Sequence, residues 1–187
     1  MPIVLKYLGL DGDTKTVADY DRVVEAFDAI RPYIKTFDNA NYINAIPNGE
    51  VCVINSWSGD YATAQARAVE AGVVEAGVEI NLAYAVPKTG APMWFDEICI
   101  PAGAGNLENA YLFLDYMLRP EVIAACTNWI NYANANKAAN EFVDPALLAN
   151  PAVYPDAAVI SRLWAMDLLS EEQDRAMTRA WSRIKSG

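Results

Sequence analysis

Segments with apolar residues at strand spacing alternate along this chain with segments at helical spacing. This alternation constrains the fold more than any other feature. Between residues 78 and 86, apolar side chains occupy every second position, which is typical of a β-strand. Across residues 17–30, apolar side chains recur at helical spacing, as one buried helix face requires. Compact apolar runs at 51–56 and 94–100 predict two further strands. Strands interleaved with helices predict an α/β fold.

Local signals predict where the helices begin and end. Glycine closes helices, proline fits their first turn, and Ser or Thr followed three residues later by an acidic residue or Gln forms a capping box. The predicted boundaries are an end at Gly9, a capping box of Thr16 with Asp19, a start at Asn106, a start at Pro120, and a capping box of Ser170 with Gln173.

Composition excludes several function classes. The 187 residues carry a formal charge of −10, which argues against nucleic acid as a partner, because phosphate binding needs a basic surface. An acidic chain suits a cationic ligand. The chain has no histidine, which removes Ser-His and Cys-His nucleophiles and histidine metal sites. We therefore expect a protein that is not an enzyme and that uses no cofactor or metal.

The cysteines and the chain start give a second set of expectations. Cys52, Cys99 and Cys126 have no metal-ligand spacing, and their apolar neighbours predict that most of them are core residues. Their odd number leaves at least one without a partner in this chain. No apolar run has the length of a membrane span, and the first residues do not have the pattern of a signal peptide.

Two distant stretches pair a tryptophan with a carboxylate, Trp57–Asp60 and Trp94–Asp96. Aromatic faces attract ammonium groups, and carboxylates form charge-assisted hydrogen bonds with them. If the fold brings the stretches together, they form a site for an organic cation. From spacing alone, N-capping of the following helix is the stronger interpretation of Asp60, and Trp57 equally fits a core position.

Asp96 and Tyr132 extend this candidate site. Asp96 interrupts the predicted strand at 94–100, where a buried carboxylate requires a cation, donors or water. Tyr132 either forms a further aromatic wall or packs at a helix end. For Asn134 and Asn136 in the same segment, turn and capping roles are favoured over ligand binding.

Beyond these pairs, a series of short motifs in a fixed order resembles one family, the periplasmic spermidine/putrescine-binding proteins, which are substrate receptors of bacterial polyamine ABC importers. The resemblance covers nearly the whole chain. Its motifs are Tyr7–Gly9, Ile30–Pro32, Tyr42–Asn44, Asn48–Val53, Trp57–Asp60, Tyr84–Lys88, Trp94–Asp96, Phe113–Pro120, Tyr132–Ala139, Tyr154–Pro155 and Trp181.

The resemblance implies part of a two-lobed, type II Venus-flytrap receptor in the periplasm, with a polyamine ligand and an ABC permease as partners. An aromatic box would hold the methylene chain, and acidic residues would bind the ammonium ends. The positions that match the family's site motifs are Trp57, Asp60, Trp94, Asp96 and Tyr132.

Family members are much longer, and the portion without a counterpart lies at the N-terminus, so we expect Met1 to begin a truncated product. On the family plan, residues 1–86 and 134–187 form the C-terminal lobe, and residues 87–133 return to the N-terminal lobe. Without that lobe, 87–133 would expose apolar surface. We therefore expect the chain alone to bind polyamines weakly or not at all, and to dimerise or aggregate.

Two alternatives stay open at this stage. Asp60 and Asp96 could serve as the acid/base pair of a carboxylate-dependent hydrolase. A receptor for another cationic solute is the second alternative. The sequence does not choose between putrescine and spermidine.

Overall fold

A computed structural model describes residues 1–70 and 82–187. The α-helices are α1 Pro2–Tyr7, α2 Asp19–Ile30, α3 Tyr42–Ala45, α4 Ser58–Glu70, α5 Leu107–Met117, α6 Pro120–Ile130, α7 Pro145–Leu148, α8 Ala157–Ile160 and α9 Glu171–Ser186. Short 3₁₀-helices cover Arg31–Tyr33 and Lys137–Glu141. Strand β1, Ala91–Pro92, pairs in parallel with β2, Leu163–Trp164.

The chain divides into two compact units. The first unit contains Met1–Asn39, Val86–Phe95 and Ala157–Gly187, and the second contains Ala40–Ala85 and Asp96–Asp156. The lobe boundaries expected from the resemblance concern a longer, two-lobed receptor, and they stay a prediction. Each unit has its own hydrophobic core, as a separately packed body requires.

The core of the first unit lies where α1, α2 and α9 meet, and Leu5, Val23 and Ile184 are almost fully buried in it. Helix α9 begins with the predicted capping box, in which Ser170 and Gln173 each satisfy the other's backbone N–H. The same Gln173 side chain donates through Nε2 to the backbone oxygen of Thr14 at 2.9 Å. The start of α9 is therefore attached to the loop before α2.

Arg31 is hydrogen-bonded to the C-terminal end of α9. Its guanidinium donates to the backbone oxygens of Ile184 and Lys185, which the helix leaves without intrahelical partners. The same group lies 5.5 Å from the ring centroid of Phe37. Trp181 is half-buried and packs edge-on against Phe37 at 5.3 Å between centroids.

The pairing of β1 with β2 depends on one glycine. Gly90 adopts φ +96°, in the left-handed region. A Cβ on Gly90 would lie 2.1 Å from the backbone oxygen of Arg162. Met93 then donates its backbone N–H to the oxygen of Trp164 at 2.8 Å, which extends the pairing by one bond.

In the second unit, α6, the 3₁₀-helix Lys137–Glu141 and α7 surround a small core. Asn134 Nδ2 donates to Thr127 Oγ1 at 2.9 Å, and the Asn136 side chain accepts from the backbone N–H of Ala138. Asn136 Nδ2 also donates to the oxygen of Leu118 at 2.8 Å. The capping and turn roles predicted for Asn134 and Asn136 are confirmed.

Two predicted helix caps are wrong in detail. Helix α2 begins at Asp19 and its N-cap residue is Ala18, not Thr16, so no side chain caps it. The Asp19 carboxylate accepts instead from Thr14 Oγ1 at 2.5 Å. Asn106 occupies the predicted start of α5, but its side chain makes no capping hydrogen bond. The helix positions at Gly9 and Pro120 are confirmed.

The predicted strands at 51–56 and 94–100 are irregular in the structure, where Val53 is 87% and Ile98 is 56% exposed. A strand needs a neighbour to complete its hydrogen bonds, and within residues 1–70 and 82–187 only β1 and β2 pair. The alternating run at 78–86 lies partly outside the described residues, and its described part, 82–86, is not a strand.

The prediction that most cysteines are core residues is also wrong. Cys52 and Cys99 are exposed, Cys126 is half-buried, and all three are free thiols. Both exposed thiols lie in the runs predicted as strands, so their apolar neighbours do not cover them. In the part of the chain described, no helix combines the length and apolar character needed to cross a membrane.

Candidate functional site

Asp60 is the centre of a hydrogen-bonded cluster in the second unit. It is the third residue of α4, so it does not precede the helix as the capping interpretation required. Its Oδ2 accepts from the hydroxyl of Tyr42, and its Oδ1 accepts from the hydroxyl of Tyr132 at 3.1 Å. The N-cap prediction for Asp60 is therefore wrong, and the carboxylate instead binds two phenols.

Two different elements bring these phenols to Asp60. Tyr42 begins α3, which packs against α4, and Asn44 Oδ1 on α3 accepts from Arg67 on α4 at 2.6 Å. Tyr132 follows α6, which ends at Asn131 in the left-handed conformation, φ 59°. Asparagine tolerates that conformation and often ends helices in this way. The chain turns there, and Tyr132 reaches α4.

Gly59 permits the close approach of Tyr132. It is buried, and a Cβ built on it would lie 2.2 Å from the nearest ring carbon of Tyr132, far inside van der Waals contact. The Trp57–Asp60 motif thus requires glycine at its third position, because any larger residue would collide with the Tyr132 ring. Any side chain at this position would separate the phenol from the carboxylate.

Burial raises the pKa of the Tyr42 hydroxyl well above its usual value, and its hydrogen bond to Asp60 and the Asp60 charge raise it further. The pKa of Tyr132 is raised mainly by burial, then by the charge of Asp60 and the hydrogen bond to it. Both hydroxyls therefore stay protonated at neutral pH and act as donors. The carboxylate is the acceptor in both bonds.

This arrangement can bind a cationic group. A carboxylate offers about four lone-pair sites, and the phenols occupy two of them. An ammonium group can use the remaining sites and the lone pairs of the phenol oxygens. Trp57, the residue before α4, is half exposed at 51%, and its ring is of the type that attracts cations.

The structure brings together part of the predicted site. Asp60 and Tyr132 are in contact, and Trp57 lies at the start of the same helix. Asp96 is exposed in the second unit and forms no hydrogen bond or ion pair with another described residue. Trp94 belongs to the first unit and is 58% exposed. The ligand roles of all five residues stay predictions.

Sequence reasoning missed Tyr42 as a member of the cluster. No spacing rule links it to Asp60, because their contact depends on how α3 packs against α4. The only signal was its place in a family motif, Tyr42–Asn44. Among the residues that the structure describes, no group of Cys, Asp and Glu side chains is arranged to hold a metal ion.

Comparisons with known proteins define the class. The model of the family described as bacterial extracellular solute-binding protein matches residues 1–155. The chain therefore belongs to the bacterial extracellular solute-binding protein family.

Individual relatives show which members of this family the chain resembles. The putrescine-binding periplasmic protein PotF of Escherichia coli K12 is 40% identical over 98% of this chain and 49% of its own length. The putrescine-binding periplasmic protein SpuD of Pseudomonas aeruginosa UCBPP-PA14 is 36% identical over 100% of this chain and 50% of its own. The chain thus spans about half the length of the curated relatives it matches, and the predicted resemblance is confirmed.

One solved structure supports the fold. The spermidine/putrescine ABC transporter substrate-binding protein PotD of Streptococcus pneumoniae superposes with a TM-score of 0.77. The match covers 97% of this chain and 53% of PotD, at 22% sequence identity. The predicted fold class, part of an α/β periplasmic binding protein, is confirmed.

Proposed function

We propose that this chain supplies a polyamine-binding part of a periplasmic substrate receptor that serves an ABC importer, and that it is not an enzyme. The observation that carries the proposal is the Asp60 carboxylate, held on both oxygens by phenols. The names of the relatives support putrescine as a ligand class and the periplasm as the compartment. The net charge of −10 favours the approach of a cation.

In this proposal Asp60 binds one ammonium end, and Trp57 and Tyr132 contact the adjacent methylene groups. Asp96, which lies in the same unit as Asp60, provides a second anchor for the ligand. The alternative of a hydrolase requires a second carboxyl group about 5–10 Å from Asp60, across the bond to be cleaved. The groups that hydrogen-bond Asp60 are two phenol donors, which keep it a charged acceptor. The cluster itself therefore favours cation binding.

We expect weak binding by the chain as it stands. A hydrogen bond to a charged group contributes about 1.5–3 kcal/mol, and a cation–π contact adds up to about 2 kcal/mol. Their sum corresponds to a Kd on the order of 1 mM. Sub-micromolar binding by the monomer would contradict this expectation.

An NMR titration with putrescine, followed through the indole N–H of Trp57, tests the proposal. Asp60→Asn keeps the shape but removes the charge, and it should weaken binding by about tenfold or more. Asp115→Asn is the matched control, because Asp115 is exposed on α5 and the charge change is identical. Butane-1,4-diol, the neutral analogue, should not bind.

Loss of binding in Asp115→Asn as well, or equal binding of putrescine by wild type and Asp60→Asn, would refute the assignment. Equal affinity for the diol and the diamine would instead indicate a receptor for neutral solutes. A parallel titration with agmatine would show whether another cationic compound binds better than putrescine.

A further inference from the structure

We propose that Tyr42 is a positioning residue, which fixes the orientation of the Asp60 carboxylate for the cationic ligand. The inference rests on the proposed function, and it adds a residue that the Trp57–Asp60 motif does not contain. Tyr42 lies on α3, and its hydroxyl donates to Asp60 Oδ2.

The two oxygens of Asp60 are held separately. Tyr132 binds Oδ1 and Tyr42 binds Oδ2, so each phenol restrains one end of the carboxylate. The terminal torsion of an aspartate is otherwise broad, with little intrinsic preference for one orientation. With a single phenol, the carboxylate could pivot about that one bond. Two donors from different elements fix its plane.

Tyr42 belongs to α3, and α3 is hydrogen-bonded to α4, the helix that carries Asp60. Asn44, two residues later, accepts from Arg67 of α4, so α3 is joined to α4 at Asp60 and again further along the helix at Arg67. Tyr132 instead reaches α4 from the segment after α6. The Tyr42 bond therefore sets the carboxylate orientation from within the α3–α4 pair. The raised pKa of Tyr42 keeps its hydroxyl protonated, as this role requires.

The test is the affinity of Tyr42→Phe for putrescine, measured by the same Trp57 titration. We expect a loss of about three- to tenfold, which is less than a whole hydrogen bond to a charged group, because the Asp60 carboxylate keeps its bond to Tyr132 and its own contact with the ligand. Tyr61→Phe is the matched control. It removes a hydroxyl from α4 that donates to the oxygen of Leu82 at 3.2 Å rather than to Asp60, and its affinity should stay within about twofold of wild type.

A thermodynamic cycle separates positioning from a direct ligand contact. If Tyr42 acts through the carboxylate, Tyr42→Phe should have little further effect in the Asp60→Asn background. An equal loss in both backgrounds would overturn the inference, because it would indicate direct contact with the ligand or a general structural effect. Unchanged affinity of Tyr42→Phe in the wild-type background would overturn it as well.

A ligand-free measurement keeps this inference separate from the proposed function. Ultraviolet absorbance above pH ~10 counts ionised tyrosines. Asp60→Asn should give more phenolate than wild type, because the carboxylate no longer opposes ionisation. Tyr42→Phe should remove part of that difference. If wild type binds no putrescine, the proposed function fails, and the phenolate counts alone then decide whether Tyr42 restrains Asp60. If it binds putrescine but the phenolate counts are equal, only the positioning role is refuted.

Discussion

Gly59→Ala tests whether the cluster at Asp60 depends on close packing. The added methyl carbon would lie 2.2 Å from the Tyr132 ring, against an ordinary contact that begins at 3.4 Å. The ring must therefore retreat by roughly 1 Å to restore van der Waals contact. That movement takes the Tyr132 hydroxyl, now 3.1 Å from Asp60 Oδ1, out of hydrogen-bonding range.

The magnitude follows from three terms. Overpacking of this kind reduces the free energy of unfolding by about 1–3 kcal/mol. Loss of a hydrogen bond to a charged group removes about 1.5–3 kcal/mol. Alanine in place of glycine in a helix raises the free energy of unfolding by up to about 1 kcal/mol, which offsets part of this loss. We therefore expect a net loss of about 1.5–6 kcal/mol in the free energy of unfolding of Gly59→Ala, measured by urea unfolding followed by circular dichroism.

The sign of the effect should reverse when the ring is absent. In a Tyr132→Ala background the clash partner is gone, so Gly59→Ala should stabilise the protein by up to about 1 kcal/mol through helix propensity alone. The same destabilisation in both backgrounds would refute the reasoning, because it would show that the methyl group conflicts with something other than Tyr132.

Two further predictions concern helix capping and alkaline pH. Ser170→Ala should lower the free energy of unfolding by about 1 kcal/mol through loss of the α9 capping box, whereas Ser182→Ala, an exposed position in the same helix, should change it by less than about 0.5 kcal/mol in urea unfolding. The raised pKa of Tyr132 stabilises the fold fully below pH ~10, and this contribution is lost as the pH rises from there toward the folded-state pKa. Tyr132→Phe should thus show a shallower fall of the urea midpoint with pH than wild type, and a fall as steep as that of the exposed control Tyr33→Phe would contradict this.

Local signals predicted the helices well because their causes lie within a few residues. The capping box of Ser170 with Gln173 and the helix start at Pro120 both follow from groups less than one turn away. The run at 51–56 has strand-like side chains, but a strand also needs a partner, and no local pattern provides one. The exposed Val53 shows the consequence.

The same distinction applies to the candidate site. Asp60 and Tyr132 were predicted through a family motif, whereas the contacts that join them were not. Spacing suggested a helix cap for Asp60, since an aspartate near a helix start usually has that role. The competing attraction of two phenols depends on the packing of α3 and of the segment after α6 against α4.

The hydrogen bonds from Arg31 to the end of α9 have a consequence for how the chain folds during synthesis. Its two acceptors lie 153 and 154 residues later in the sequence. Until the ribosome has released α9, Val23 on α2, completely buried in the finished unit, faces water or a chaperone. The second unit is encoded entirely between these parts and can pack earlier. A chain that ends after residue 156 should therefore show protease resistance in the second unit while the first is still open.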